Sequence, residues 1–205
     1  HHEMSLDDTF DFLNTTELES GSLVDHFTSF DDAANWLIGR GVCHSGKGPA
    51  ALVPADQSGD VALVRVRSVR AALRDLAHAV SHGGSPDDAS LAEINRTIAS
   101  RERIEPVRSP DGVSVAHSHA GEPLDDALAR LAEPFVDEIQ AGRSERVRIC
   151  ANDTCRWIFY DESRAGRRRW CDMASCGNRA KAARHRARAK AAAAAPTESA
   201  SVAAN

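Results

Sequence analysis

Apolar residues recur every three or four positions through most of the first 140 residues, which is the spacing of amphipathic helices. The clearest case is the segment 61–80, which predicts a long helix with one apolar stripe. That stripe consists of Leu63, Val66, Val69, Leu73, Leu76 and Val80. A short opening helix is indicated by Phe10, Leu13 and Asn14.

Three further helices are predicted at residues 29–41, 85–98 and 123–140, from capping residues and the same apolar spacing. Pro86 is expected at the first position of the second of these helices. Pro134 predicts a bend in the third. The inward-facing residues are expected to be Ala33, Trp36 and Leu37; Leu91, Ile94 and Ile98; and Leu124, Leu128, Leu131, Phe135 and Ile139.

Extended segments are few. Turn residues at 109–112 predict one β-hairpin between 104–108 and 113–117. The stretches VRIC and WIFY predict two short strands, SRAG predicts a turn, and a helix of Ala, Arg and Lys follows from about Ala174 to Ala195. The fold class is therefore mainly α: a helical domain with one possible hairpin over residues 4–142, and a small ββα-like module with a long basic helix over 143–195. Residues 196–205 are expected to be a disordered tail.

The net charge of −5 hides a division of the chain into an acidic and a basic part. Residues 1–142 contain 11 Lys and Arg against 24 Asp and Glu, a balance of −13. Residues 143–190 contain 14 basic residues against five acids, a balance of +9. With no run of 18 apolar residues and an acidic start, we expect neither a membrane span nor a secretory signal, and a cytoplasmic location.

Two pairs of cysteines lie in the basic part, each with four residues between its members. The pairs are Cys150 with Cys155 and Cys171 with Cys176. Two such pairs in a reducing compartment are better metal ligands than disulfides, and four thiolates with no open position are typical of structural zinc, so Zn²⁺ is the expected cofactor. An iron–sulfur cluster is the alternative. Without the ion we expect residues 147–180 to be unfolded, because the module has few large apolar residues.

The basic residues exceed what a zinc site requires. Four thiolates around Zn²⁺ carry about −2, which leaves the module strongly positive. From Gly177 to Ala195 there is no acid, and alanines lie between the cations, so a nucleic acid is the expected partner, with duplex DNA preferred over RNA. The predicted contact residues are Arg167, Arg168, Arg169, Arg179, Lys181, Arg184, Arg186 and Arg188. Trp157, Phe159, Tyr160 and Trp170 are expected to form core rather than to stack on bases.

The segment RICANDTCRWIFYDESRAGRRRWCDMASCGNRAKAARHRAR resembles the CGNR zinc finger, named for the sequence at 176–179. FDFLNT at 10–15, Trp36 and Leu37 before Gly41, and VRSVRAALRDL at 66–76 are similar to the ABATE domain that precedes this finger in bacteria. The resemblance implies a stress-induced transcription regulator in which the four cysteines named above bind zinc. We expect the acidic helical domain to sense a signal, to dimerise or to restrain the basic module.

Other functions are less well supported by the residues. A deaminase would need a water-bearing zinc with a nearby His-x-Glu, and a nuclease using His185 and Asn178 would need clustered acids that the module lacks. Asn178 is expected to form a hydrogen bond across the loop that carries the second cysteine pair, or to serve as a turn residue. Cys43 beside His44, the pair His78 and His82, and the pair His117 and His119 are alternative metal ligands, with packed or locally bonded side chains as the expected outcome.

Overall fold

The computed structural model describes residues 3–19, 21–43, 48–53, 57–118 and 121–194, and its described part is mainly helical, as the sequence predicts. The helices are α1 (Leu6–Leu13), α2 (Phe30–Gly39), α3 (Gly59–Ser81), α4 (Asp88–Ala99), α5 (Pro123–Gln140) and α6 (Asn178–Ala194). The strands are β1 (Thr16–Glu19), β2 (Ser22–Asp25), β3 (Arg103–Ser109), β4 (Gly112–Ser118), β5 (Val147–Ile149) and β6 (Ile158–Tyr160). Short 3₁₀ turns occupy Pro49–Leu52 and Ser144–Arg146. None of the described helices is long and apolar enough to cross a membrane.

Reciprocal hydrogen bonds between a serine and an aspartate three residues later begin α1 and α2. Ser29 and Asp32 form this capping box at α2, as predicted, and Ser5 and Asp8 form another at α1. At α4 the prediction for Pro86 was wrong. Asp87 is the N-cap, and its side chain accepts from the Ser90 N–H, so Pro86 precedes the helix. An aspartate carboxylate satisfies an orphan N–H that proline cannot reach.

The core forms around α3, whose predicted stripe is buried from Leu63 to Leu76. Helices α1, α2, α4 and α5 all pack on α3. Helix α5 runs through Pro134 as one element. Two inward predictions were wrong: Ile139 and Leu91 are exposed, and each lies near an end of its helix.

Three two-stranded antiparallel sheets accompany the helices in the described part. The sheet of β3 and β4 is the predicted hairpin, paired from Arg103 with Ser118 to Ser109 with Gly112. The sheet of β1 and β2 was not predicted. Its strands have four residues each, too few to establish an alternation against the helical pattern around them.

The sheet of β5 and β6 joins the basic module to the helical domain. Val147 and Ile158 are fully buried within the same core as the helices. The Asn14 side chain at the end of α1 donates to the Ile158 carbonyl at 2.8 Å and accepts from the Ile158 N–H at 2.9 Å. Asn14 therefore pairs with β6 as a neighbouring strand would, and fixes the module against α1.

Asn14 is followed by Thr15, which anchors a second buried polar contact. The buried guanidinium of Arg70 donates to Thr15 Oγ1 at 2.8 Å and to Asp25 Oδ2 at 2.6 Å. These two bonds join α3 to the open end of the β1–β2 hairpin. The end of the FDFLNT stretch is thus a structural junction between three elements.

Candidate metal centre and basic helix

The four cysteine sulfurs lie together as one cluster. All four Sγ atoms are within 4.8 Å of one another, and Cys171 lies 3.7 Å from Cys155 and 3.8 Å from Cys176. Metal–sulfur bonds of about 2.3 Å in tetrahedral geometry require sulfur–sulfur separations of about 3.8 Å. The arrangement can therefore hold a zinc ion with four thiolates and no open position, which is the character of a structural site.

Each cysteine pair lies in a short loop, here called a knuckle. The first knuckle, residues 150–157, carries Cys150 and Cys155 and follows β5 directly. The Cys150 N–H donates to the Trp157 carbonyl, and the Cys155 N–H donates to the Asn152 carbonyl. Arg156 takes a left-handed backbone (φ 57°), which turns the chain back toward β6. The Asn152 amide donates to Cys176 Sγ at 3.4 Å, so the first knuckle reaches the sulfur of the second.

The second knuckle is a π-helical turn, Met173–Gly177, which leads into α6. The Asp172 carboxylate accepts from the N–H groups of Ala174 and Ser175 at the start of this turn. A Cβ on Gly177 would collide with the Met173 thioether and approach Trp170, so any other residue at this position has to displace the flexible Met173 side chain. Asn178 donates to the Ala174 carbonyl at 3.0 Å, within its own turn and not across to the first knuckle.

The electrostatics of the four thiols favour a cation at their centre. Burial, with the nearby thiols, raises the pKa of Cys155 to about 11 and also raises the pKa of Cys171. Burial opposes ionisation of Cys176 too, but hydrogen bonds from Asn152 and the other thiols outweigh it and lower its pKa. Burial therefore disfavours four thiolates at this centre unless a cation lies between them, and a divalent ion would supply that charge.

Apolar contacts complete the metal centre. Phe159, Trp157 and Trp170 pack against the cysteines and form a small core distinct from the one that contains Ile158. The aromatic residues are therefore core, as expected. Tyr160 faces the other way, and its hydroxyl donates to Glu138 at 2.8 Å.

The predicted contact residues Arg167, Arg168 and Arg169 differ in their surroundings. The Arg168 guanidinium donates to the carbonyls of Trp170 and Cys171 and stacks on Phe159, which holds the second knuckle in place. Arg169 stacks on Trp170 at 5.1 Å. Arg167 is exposed.

Helix α6 is exposed along its described length. Arg179, Lys181, Arg184, Arg186 and Arg188 point to solvent, and no salt bridge within the described residues links them to the acidic domain. The α-helix begins at Asn178, later than the predicted Ala174, because the π turn occupies the preceding residues. Ala195 and the predicted disordered tail lie outside the described residues.

Three residues that position the site were not predicted to do so. Asn152 bonds a sulfur, Asn14 docks β6, and the fully buried Asp161 accepts from the N–H groups of Ser163 and Arg168. Burial opposes ionisation of Asp161, yet these bonds keep its pKa low. Both Asn152 and Asp161 precede a Thr or Ser by two residues, an Asx-turn signal that was available in the sequence.

The alternative metal ligands do not form comparable clusters within the described chain. Burial raises the pKa of Cys43 to about 11, and its thiol packs against the main core, while His44 and His119 lie outside the described residues. His82 is bonded locally to the His78 carbonyl. Glu17, Glu19 and His26 lie together at the β1–β2 hairpin, where the His26 ring is hydrogen-bonded to Glu17 at 2.6 Å.

Comparison with known families gives two matches that together span nearly the whole chain. Residues 146–189 match the CGNR zinc finger, and residues 9–142 match ABATE, described as a putative stress-induced transcription regulator. No curated protein matches the chain. Since the second match alone covers more than half of the sequence, the chain belongs to the ABATE family of regulators and carries a CGNR zinc finger at its C-terminal side.

Proposed function

We propose that this protein is a zinc-dependent transcription regulator that binds duplex DNA through α6 and the neighbouring arginines. One observation carries the proposal: the basic side chains of α6 are exposed, unmixed with acids, and without a salt bridge among the described residues. A cationic helix that its own protein leaves uncovered is suited to a polyanion.

Electrostatic repulsion within α6 supports the same conclusion. Like charges four residues apart, such as Arg184 with Arg188 and Arg186 with Lys190, destabilise an isolated helix. Phosphates relieve that repulsion, and the alanines between the cations let the helix backbone come close to a groove. The zinc centre fixes the first turn of α6, so binding has only to order its distal half.

The test is a salt titration of binding to a random duplex, followed by fluorescence anisotropy. If α6 and its neighbours neutralise five phosphates, log affinity falls against log salt with a slope of about −4.5. The double variant Arg184→Gln/Arg188→Gln should reduce the slope by about 1.8. Arg103→Gln/Arg108→Gln, on the exposed β3, is the matched control and should leave the slope unchanged.

Structured RNA at matched salt separates the two nucleic acids. Tighter binding to duplex DNA supports the proposal, whereas preference for RNA would move the protein to the RNA-binding class. Absence of any salt-dependent binding refutes both. Nucleic-acid cleavage that disappears in His185→Ala would instead indicate an enzyme.

The helical domain is proposed to sense a signal, to form a homodimer or to restrain the finger. Its acidic balance of −13 could oppose DNA binding by the +9 module at long range. In that case, the affinity of the full chain for duplex DNA should increase when exposed acids that lie far from α6 are replaced by neutral residues. Two exposed acids on the β3–β4 hairpin are suitable for this test, and the substitutions are Asp111→Asn and Glu105→Gln. Glu102 is left unchanged.

A further inference from the structure

A pocket of about 240 Å³ lies where the end of α3 meets β5 and the first knuckle. Arginine dominates its lining: Arg148 from β5, Arg156 from the knuckle, and Arg168 and Arg169 from the segment before Cys171. Ser81 and His82 close it from the helical domain. No acid is among its described lining residues, so the pocket is strongly positive.

The four arginines have little carboxylate to balance them. Within the described residues the only salt bridge to any of them joins Arg156 to the exposed Asp153, at 3.9 Å. Arg168 and Arg148 donate to backbone carbonyls, and Arg169 stacks on Trp170. The Arg148 Nε is buried and has no hydrogen-bond partner among the described residues. These hydrogen-bond and stacking partners are neutral, and no carboxylate lies in the described lining of the pocket itself.

The metal centre accounts for only part of this charge. Cys150 lines the same pocket, and a zinc ion with four thiolates carries about −2 against the +4 of the arginines. The buried Asp161 lies close enough to Arg148, and the exposed Asp172 close enough to Arg168, to be influenced by their charges, but neither aspartate lines the pocket. The arginines are therefore concentrated in the lining of a concave site, where an anion is attracted more strongly than on a flat surface.

We propose that this pocket binds a phosphate group. Arginine guanidinium groups match phosphate oxygens in geometry and charge, and arginines from three segments line this pocket. A phosphate held between α3 and the finger would tie the two parts of the chain together. The group can belong to a DNA backbone or to a small phosphorylated ligand. Only the first source rests on the proposed function.

The pocket adjoins the surface proposed for DNA. A second, open groove on the other side of the first knuckle is lined by Asn152, Trp170, Arg179 and Arg186, and Ala151 lines both. A nucleic-acid backbone that follows α6 could therefore continue into the pocket. A small ligand would occupy the pocket without α6.

The experiment titrates inorganic pyrophosphate into the zinc-loaded full chain by calorimetry, at ionic strength held constant with sodium chloride. The pocket variant is Arg156→Asn/Arg169→Gln. Asparagine is chosen at 156 because it tolerates the left-handed backbone there, and Arg148 is left intact because it holds the Gly166 carbonyl. Arg103→Gln/Arg108→Gln is the control with the same loss of charge. Zinc content and circular dichroism verify that each variant is folded.

Pyrophosphate should bind the native chain at one site, and the pocket variant should weaken this at least tenfold while the control stays within twofold. If the phosphate comes from DNA, the pocket variant also lowers the slope of the DNA salt titration by about 1.8 and pyrophosphate competes with duplex. If it comes from a small ligand, pyrophosphate binding is lost but the DNA slope falls by only about 0.9, because Arg169 is a predicted DNA contact and Arg156 is not.

Two results would overturn the inference. The first is that the native protein does not bind pyrophosphate and does not release DNA when pyrophosphate is added. This measurement needs no variant. The other is that pocket and control variants behave alike in both titrations. Either result leaves the α6 proposal standing, since that proposal depends on Arg184 and Arg188, which lie outside the pocket.

Discussion

Replacing Asn14 with alanine tests how the zinc finger is held on the helical domain. The Asn14 side chain makes two buried hydrogen bonds with the Ile158 backbone, at 2.8 and 2.9 Å. Alanine removes both and leaves the Ile158 N–H and carbonyl without partners. Each unsatisfied buried group costs about 1–3 kcal/mol, so we expect a loss of about 3 kcal/mol in the free energy of unfolding. For a chain of this length Tm should fall by about 6–12 °C.

The assay is urea and thermal unfolding of the zinc-loaded chain, followed by tryptophan fluorescence, with zinc release measured in parallel by a chromogenic chelator. Zinc should leave Asn14→Ala faster, because Ile158 begins the strand that returns from the first knuckle. Asn95→Ala is the matched control, since Asn95 is exposed on α4 and alanine is the better helix former. A change in Asn14→Ala no larger than in this control would refute the docking role.

Three other perturbations follow from the same contacts. Gly177→Ala should weaken zinc binding by about 1–3 kcal/mol, measured by competition with a chelator. Adding Met173→Ala to this variant should restore much of the lost affinity, because the Met173 thioether is the nearest obstacle to the new Cβ. If the second substitution restores nothing, the collision with Met173 is not the cause. Burial opposes ionisation of Asp25, but hydrogen bonds from Arg70 and the Phe27 N–H hold the pKa of this carboxyl below its ordinary value. The ionised Asp25 therefore stabilises the folded protein fully at pH values above the pKa of an aspartate in the unfolded chain, and this contribution is lost as the pH falls toward the folded-state pKa. Stability between about pH 5 and about pH 3 should therefore decline less steeply in Asp25→Asn, by denaturant titration; equal slopes would contradict this. Removal of zinc should raise hydrogen exchange over 150–157 and 161–194 while the α3 core stays protected, and uniform loss of protection would contradict it.

The last of these predictions modifies the expectation drawn from the sequence. The sequence predicts that 147–180 unfolds without metal, because the module has few large apolar residues of its own. Val147 and Ile158 belong instead to the core of the helical domain. We therefore expect the two anchoring strands to outlast the knuckles when zinc is removed.

The helices and the four sulfurs could be predicted because both depend on short-range patterns. The stripe on α3 has a period that only a helix satisfies, and paired cysteines with equal spacing indicate a common metal. The contacts of Asn14 with Ile158 span 144 residues of sequence, and no local pattern reports such a pairing. The pocket of arginines is similar, since its cations come from β5, the first knuckle and the segment before the second.

The placement of Ile158 has a consequence for transplanting this finger. Family matches divide the chain near residues 142–146, but the hydrogen bonds to Asn14 and the apolar contacts of Val147 cross that division. A fusion protein that receives only the matched C-terminal segment would expose the inner face of β5 and β6 to water. A recipient protein whose surface reproduces the end of α1 and the adjoining side of α3 would cover that face again. A finger grafted onto such a surface should therefore give a more soluble chimera.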